Sequence, residues 1–584
     1  MDQVSRRRLI SHRQAGKRNR HHQQRNHQRR HQRQRRHQQK SRQRRHREQK
    51  KSRQQRHREQ KKSRQQRHRQ QRSRQRRHQE QKKSRQRRHR EQKKNHQRMK
   101  KHQQKQKILQ RDSLQVQEME SNSINQFRQQ QYFDILQSTP IIKRAIETTF
   151  YQNLKMKKVE MPIDNKLYLM VIAPALVGFT EWVLDEAVRL HKSRVYFLSR
   201  DGYQMYLIAN EIVKQKHLNI ECKYLHVSRF SMRLPGYHFN MEKSIDSICV
   251  GGIDVTPLKI LRRAALTDEE CQNILNELEL NKEKDIILNY QQVIQLREKI
   301  RQSKLIRMYI QRHSVDAYEN TVGYLKQEGL CDNSEYLLVD SGWIGTLQCS
   351  IEALVKSMNP DIEVQGCYFG MYEYPTGSSH EKFHTYYFSP ESGLVRKSCF
   401  SNSLFETIVS SLEGMTKSYD KVENGYVPVM NDARNPNADQ MKKNIAALQM
   451  LLAQISFEKG KNTIDIGTIE KLFYLFMSEP SIVEVKAYGD NLFSDDVIDG
   501  NYKKTAAELT WEQIRNQRFL RRMMIVSGVR KATLYESAWL EGSIVKAEFR
   551  ENKSEDTVRK TQLESLHVRI YKYFVFLRKQ LKRK

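Results

Sequence analysis

Cysteine is scarce in this sequence and never paired. Cys222, Cys249, Cys271, Cys331, Cys349, Cys367 and Cys399 stand apart, with no CxxC among them. That spacing argues against a structural zinc site and a disulfide framework, and it fits a reducing, cytoplasmic setting. Long apolar runs are missing as well. The longest uncharged apolar stretch, LYLMVIAPALVGF from Leu167 to Phe179, has 13 residues, against about 20 for a membrane-spanning helix. It reads as a buried segment, bent or interrupted at Pro174 and Gly178. No apolar run follows the early arginines, so a secretory signal is not expected.

Acidic and aromatic residues are nearly absent from the first part of the chain. Residues 1–111 hold 46 Lys and Arg against 5 Asp and Glu, and no Phe, Trp or Tyr. The other 473 residues hold 62 basic and 60 acidic side chains, so the chain's net charge of +43 belongs almost wholly to this arm. An internal repeat runs through it: SRQRRHREQKK from Ser41, SRQQRHREQKK from Ser52, altered copies from Ser63 and Ser73, then SRQRRHREQKK again from Ser84. No apolar residue recurs within the period, so no helical seam exists to bury, and a disordered arm is expected. One reading is a polycation that neutralises phosphates on nucleic acid or anionic lipid, with affinity falling as salt rises. The other is a solvated low-complexity tract without a role. The missing aromatics favour the second. His46, His57, His68, His78 and His89, spaced singly among arginines, read as solvated rather than as metal ligands.

The remaining length suits two or three domains. The pattern predicts a helical lead-in over 112–165, an α/β domain over 166–375 with a helical insertion at 244–330, and a mainly helical region over 376–584. RVYFL, ECKYLHVSR (Glu221 to Arg229), YLLVD and VQGCYFGMY (Val364 to Tyr372) are the expected strands, separated by amphipathic helices. Strand, helix, strand, interruption, strand, helix, strand predicts a mostly parallel, Rossmann-like sheet. The terminal YKYFVFLRKQLKRK from Tyr571 joins aromatics to a basic end. It reads as a packed last helix, with contact to an anionic membrane face as the alternative.

Two strand–loop–helix corners carry the chemistry. In the first, Ser199, Arg200, Asp201 and Gly202 follow RVYFL. In the second, Asp340, Ser341, Gly342, Gly345 and Thr346 follow YLLV. Such corners bring loop residues, free helix N–H groups and a positive dipole end to one crevice, which suits phosphate. Arg200 and Arg229 are candidate phosphate clamps. Asp201 and Asp340 are the candidate catalytic carboxylates and the candidate ligands for Mg2+, a cation that usually takes one or two carboxylates plus substrate phosphates. Against this stands a plain structural reading: Asp340 caps the helix and the glycines permit a tight turn. Trp343 reads equally as a stacking platform or as core cover, His226 as a core histidine, and Asp495 with Asp496 as a solvated turn. Haloacid-dehalogenase-type phosphatases place a DxD pair at the first corner; here its first position is Ser199. Phosphoribosyltransferases place an acidic pair and a Thr-rich loop at the second; here Ser341 replaces one acid.

APALVGFTEWV (Ala173 to Val183), YFLSRDGY (Tyr196 to Tyr203), YLHVSR (Tyr224 to Arg229), LVDSGWIGTLQ (Leu338 to Gln348) and LFETIVSSLEGMTKSY (Leu404 to Tyr419) together resemble a bacterial family. Its members are encoded with surface-polysaccharide and glycosyltransferase genes and labelled haloacid-dehalogenase-superfamily hydrolases. The resemblance runs in order from about Leu167 to Tyr488. In longer members a DxD-bearing half precedes this segment; here the basic arm does. The resemblance implies a role in cell-surface polysaccharide assembly; glycosyltransferase partners, and contact with the inner membrane face through the basic ends, are expected with the accessory role named below. The expected ligand is a phosphorylated sugar, nucleotide-sugar or phosphoribosyl compound, with phosphoryl or glycosyl transfer or hydrolysis as the reaction. Two alternatives have no catalysis: an accessory protein organising glycosyltransferases, and a nucleic-acid binder acting through the arm.

Overall fold

The computed structural model describes residue 123 and residues 125–250, 255–431, 434–494, 502–551 and 556–582. The chain divides into two units, Met1–Val116 and Gln117–Lys584, and every described residue belongs to the second. The repeat arm with its histidines, and the Asp495–Asp496 pair, lie outside the described residues.

The second unit opens with helix 125–135 and α1 (Pro140–Lys157), then a helical run that ends as α2 (Ala173–Arg189). The apolar stretch from Leu167 is buried, as its composition demands, but neither Pro174 nor Gly178 interrupts it. Tyr168–Ile172 is a π-helical turn, and Pro174 follows it directly inside a continuous helical run, so the change of hydrogen-bond register falls where the proline lacks an N–H. The helices over Ile163–Arg189 are long and apolar enough to cross a membrane, yet their most apolar window is 94 % buried inside the protein. Gly178 serves close packing instead: a Cβ there would fall 2.7 Å from Ile464 Cγ2 and 2.8 Å from the Tyr386 hydroxyl. Gly178→Ala should cost about 1–3 kcal/mol by overpacking, read as a lower urea midpoint; an unchanged midpoint would mean that these neighbours yield freely.

Next come β1 (Arg194–Leu198), α3 (Gly202–Lys216), β2 (Glu221–Leu225) and α4 (Arg229–Arg233). Helices at Met241–Ile248, Pro257–Arg263, Asp268–Glu277 and Tyr290–Gln302, then α5 (Lys304–Gln327), form the insertion. It buries a cluster of its own, including Ile245, Ile260, Ile274, Leu296, Ile300 and Ile310. The chain returns through β3 (Tyr336–Trp343), α6 (Thr346–Lys356), β4 (Gln365–Met371) and β5 (Phe383–Phe388). The described strands build a five-stranded sheet, ordered β2-β1-β3-β4-β5, with every pairing parallel.

Both faces of that sheet are covered, which is why its strands read as continuous apolar runs. Val195 and Phe197 of β1, with Leu337 and Val339 of β3, enter the large core beneath α2 and α3. Tyr196, Leu198, Tyr336 and Leu338 enter the opposite one beneath α5 and α6. Helix α3 follows the same logic: Met205, Ile208, Ala209 and Ile212 recur at helical spacing and are all buried.

One boundary differs from expectation. The sheet continues past residue 375, because FHTYYF adds β5 beside β4. The region expected to be mainly helical then holds α7 (Asn402–Val409), an antiparallel hairpin of β6 (Thr416–Val422) and β7 (Gly425–Met430), and α8 (Ala438–Leu452). Near the end come α9 (Phe519–Val526) and α10 (Asp556–Leu581), the latter packed on the helices Leu394–Cys399 and Leu540–Glu551.

Candidate functional site

The chain places β1 next to β2, then crosses to the other side of β1 to add β3. A crevice opens at such a reversal, above the carboxyl ends of the two central strands. Both corners singled out from the sequence meet there, and a cavity of about 850 Å3 lies over them, lined by Ser199, Arg200, Asp201 and by Asp340 through Thr346.

At the first corner, the Ser199 hydroxyl accepts from the Val227 amide at 2.9 Å and donates to the Val227 carbonyl at 2.7 Å. Ser199 thereby fastens the end of β1 to the chain leaving β2. Asp201 occupies the N-cap position of α3 without capping it. Its Oδ2 accepts instead from the Ser341 hydroxyl at 2.6 Å, which joins the two corners directly.

The second corner is built differently from a loop. β3 runs on through Trp343, with Asp340 opposite Tyr368, Gly342 opposite Gly370 and Trp343 opposite Met371. Gly342 has φ +142, and a Cβ there would fall 2.1 Å from the Gly370 carbonyl oxygen, so only glycine fits. Asp340 does not cap α6: the N-cap is Gly345, at φ +75, and no side chain caps that helix. The Asp340 Oδ1 accepts from the Ser341 amide at 2.9 Å. The Ser199–Arg200 and Gly342–Trp343 peptide bonds are both cis. Trp343 does both things read for it: partly buried, it packs on the core, with its ring centroid 5.3 Å from Phe400 and 5.9 Å from Tyr372, and it also lines the cavity. Its Nε1–H donates to the Glu406 carboxylate.

Glu406 completes a cluster of three carboxyls with Asp201 and Asp340. Burial, followed by the charges of Asp201 and Glu406, pushes Asp340 up to about 8 from its ordinary 3.8. Burial and the Asp201 charge push Glu406 up to about 7, against the Trp343 hydrogen bond and the Arg229 and Arg200 charges. Burial also raises Asp201, opposed first by the Ser341 hydrogen bond and then by Arg200 and Arg229. Like charges this close suppress one another's ionisation.

Cations surround the cluster. Arg229 begins a helix rather than ending a strand: Ser228 caps α4 by accepting from the Ser231 amide at 2.9 Å, and Arg229 projects from the first turn into the cavity. Arg233, one turn on, donates to Thr346 Oγ1 at 2.8 Å. Arg263, Lys397, Lys572 and Lys579 also line the cavity, although Lys572 is paired to Glu541 at 2.8 Å and Lys579 to Glu373 at 2.6 Å. His226 sits apart, half-buried against the Tyr224 ring, with Nδ1 3.5 Å from Glu413.

Every site residue expected from the two corners reaches this crevice or its supporting turn. Glu406, Arg233 and the more distant cations were not expected. Glu406 did leave a trace, as the lone acid in the apolar run LFETIV. The cations left none, since they come from segments far apart in the chain. Among the described residues, no group of three or more His, Cys, Asp and Glu side chains is arranged to hold a metal ion. No family model matches the chain, and no curated protein matches it in sequence.

Proposed function

We propose that this chain binds a phosphorylated sugar, nucleotide-sugar or phosphoribosyl compound in the cavity between β1 and β3. The observation that carries the reading is the convergence of two uncapped helix N-termini, at Asp201 and Gly345, with Arg200, Arg229 and Arg233 around one pocket. Free N–H groups, the positive ends of helix dipoles and guanidinium groups all favour a phosphate. Asp201 and Asp340 suit ribose or sugar hydroxyls, or Mg2+ completed by substrate phosphates. The place of this binding in cell-surface polysaccharide assembly rests on the resemblance of the five segments. Phosphoryl or glycosyl transfer is the reaction class that such a ligand and such carboxyls support.

Ser199 is not the nucleophile in this reading, because its hydroxyl is held between the amide and carbonyl of Val227. That engagement favours a second reading, a non-catalytic accessory protein that senses the same ligand while organising glycosyltransferases. A thermal-shift panel of phosphoribosyl pyrophosphate, nucleotide-sugars and sugar phosphates, each with and without Mg2+, tests binding. A ligand at 100 times its Kd should stabilise by about 2.7 kcal/mol, and Arg229→Ala and Asp340→Asn should each remove most of that. A cooperative melt untouched by every ligand would sink the proposal; a shift without turnover would select the accessory role.

A further inference from the structure

Helix α9, 8 residues long, has no buried residue. Leu520 is 71 % exposed, Val526 63 % and Val529, just beyond its end, 77 %. From Gln513 to Tyr535 the chain carries six cations, Arg515, Arg518, Arg521, Arg522, Arg530 and Lys531, and no acid. The Phe519 ring packs 5.1 Å from Phe574 of α10, so the apolar surface continues onto the exposed Tyr573 and Phe574.

We propose that α9 and the turn through Lys531 dock on an anionic phospholipid surface. Scattered apolar side chains on a surface need no explanation, but a short helix exposing several of them within a purely cationic segment does. Lying in the plane of the interface, it would sink Leu520, Val526 and Val529 toward the acyl chains while Arg521, Arg530 and Lys531 meet the headgroups. Charge decides against a second copy of the chain as occupant. A two-fold contact sets the same patch against itself, and here that would press like charges together. Helix α10 joins this surface to the cavity: Lys572, Phe576 and Lys579 line the pocket, while Tyr573 and Phe574 face outward beside α9. Docking would therefore bring one wall of the ligand site close to the membrane. The inference stands independently of the ligand proposed above.

The basic arm would bring the full-length chain to anionic vesicles by itself, so co-sedimentation does not test the idea; a local probe does. L520W in the full chain, compared with wild type, should show blue-shifted emission and added quenching by brominated acyl chains on phosphatidylglycerol-containing vesicles. Neither change should occur on phosphatidylcholine alone. Adding V526S and V529S to L520W should weaken the response at least tenfold, with an unchanged melting temperature because these positions are exposed. Vesicle-bound L520W with unaltered emission would overturn the proposal and assign membrane contact to the arm. So would an equal response on neutral lipid. A shift growing with protein concentration without lipid would give the face to a second copy, and a shift on polyglutamate but not on vesicles would give it to an acidic polypeptide. Either result overturns the lipid surface.

Discussion

Arg128→Met should lower the unfolding free energy by about 3–5 kcal/mol, the usual cost of removing one partner of a buried ion pair. Arg128 donates from Nε to Glu484 Oε1 at 2.6 Å and from Nη2 to the Leu475 carbonyl at 2.7 Å, and it also reaches the Glu479 carbonyl. Glu484 is fully buried. Its second oxygen accepts from the amide and hydroxyl of Ser481, and Tyr132 donates to its first at 2.8 Å. Methionine would leave that carboxylate without its cation and two carbonyls without their donor. Neutralising the acid separates these effects. Glu484→Gln in the Arg128→Met background should recover part of the loss, about 1–3 kcal/mol, in urea unfolding at neutral pH. Additive losses in the double variant would show that the charge itself matters little.

In the metal-free protein, the contribution of the Asp340–Glu406 cluster to stability should fall as pH rises from about 4 to about 8, and Asp340→Asn should remove most of that fall relative to wild type. The direction follows from linkage. Asp340 is raised to about 8 from 3.8 and Glu406 to about 7 from 4.5, so the folded state holds these protons more tightly than the unfolded chain does. Their contribution is fully present below the unfolded values and is lost as pH climbs through the folded ones. Each such proton gives a slope of up to about 1.4 kcal/mol per pH unit. The carboxyls open into a solvated cavity, so the net gain of Asp340→Asn near pH 8.5 should be only about 1–3 kcal/mol. Melting temperatures of variant and wild type, measured with a chelator from pH 5 to 9, check this. Parallel curves would show that the cluster ionises freely. The same substitution should weaken Mg2+-dependent ligand binding, so one variant is expected to gain stability and lose function.

The two corners were legible because RVYFL and YLLV are buried on both faces, and a run apolar on both faces followed by a polar turn and an amphipathic helix has few other places to go. The all-parallel sheet follows from that alternation. The extension of β3 through Trp343 was not legible, since it depends on β4 offering Gly370 and Met371 as partners, and no local pattern encodes a partner. For the same reason Arg229 read as a strand end: the Ser228 cap that starts α4 there is completed by Ser231, and the Ser228 hydroxyl also donates to the Thr416 carbonyl at 2.6 Å, 188 residues away. β5 was hidden because FHTYYF carries polar residues of an edge strand. Glu406 joins the site through the fold alone, lining the cavity and accepting from Trp343, 63 residues earlier. A single sequence shows which residues share an element far better than which elements share a pocket.

A site floored by strand backbone has a particular thermal life. Beside Asp340 and Gly342 the ladder of β3 is held by β4 alone, because its pairing with β1 ends at Val339, so hydrogen exchange there should report separation of β3 from β4 rather than opening of the whole sheet. The pocket floor should then loosen on warming before the whole sheet gives way, and ligand affinity should begin to fall below the melting temperature.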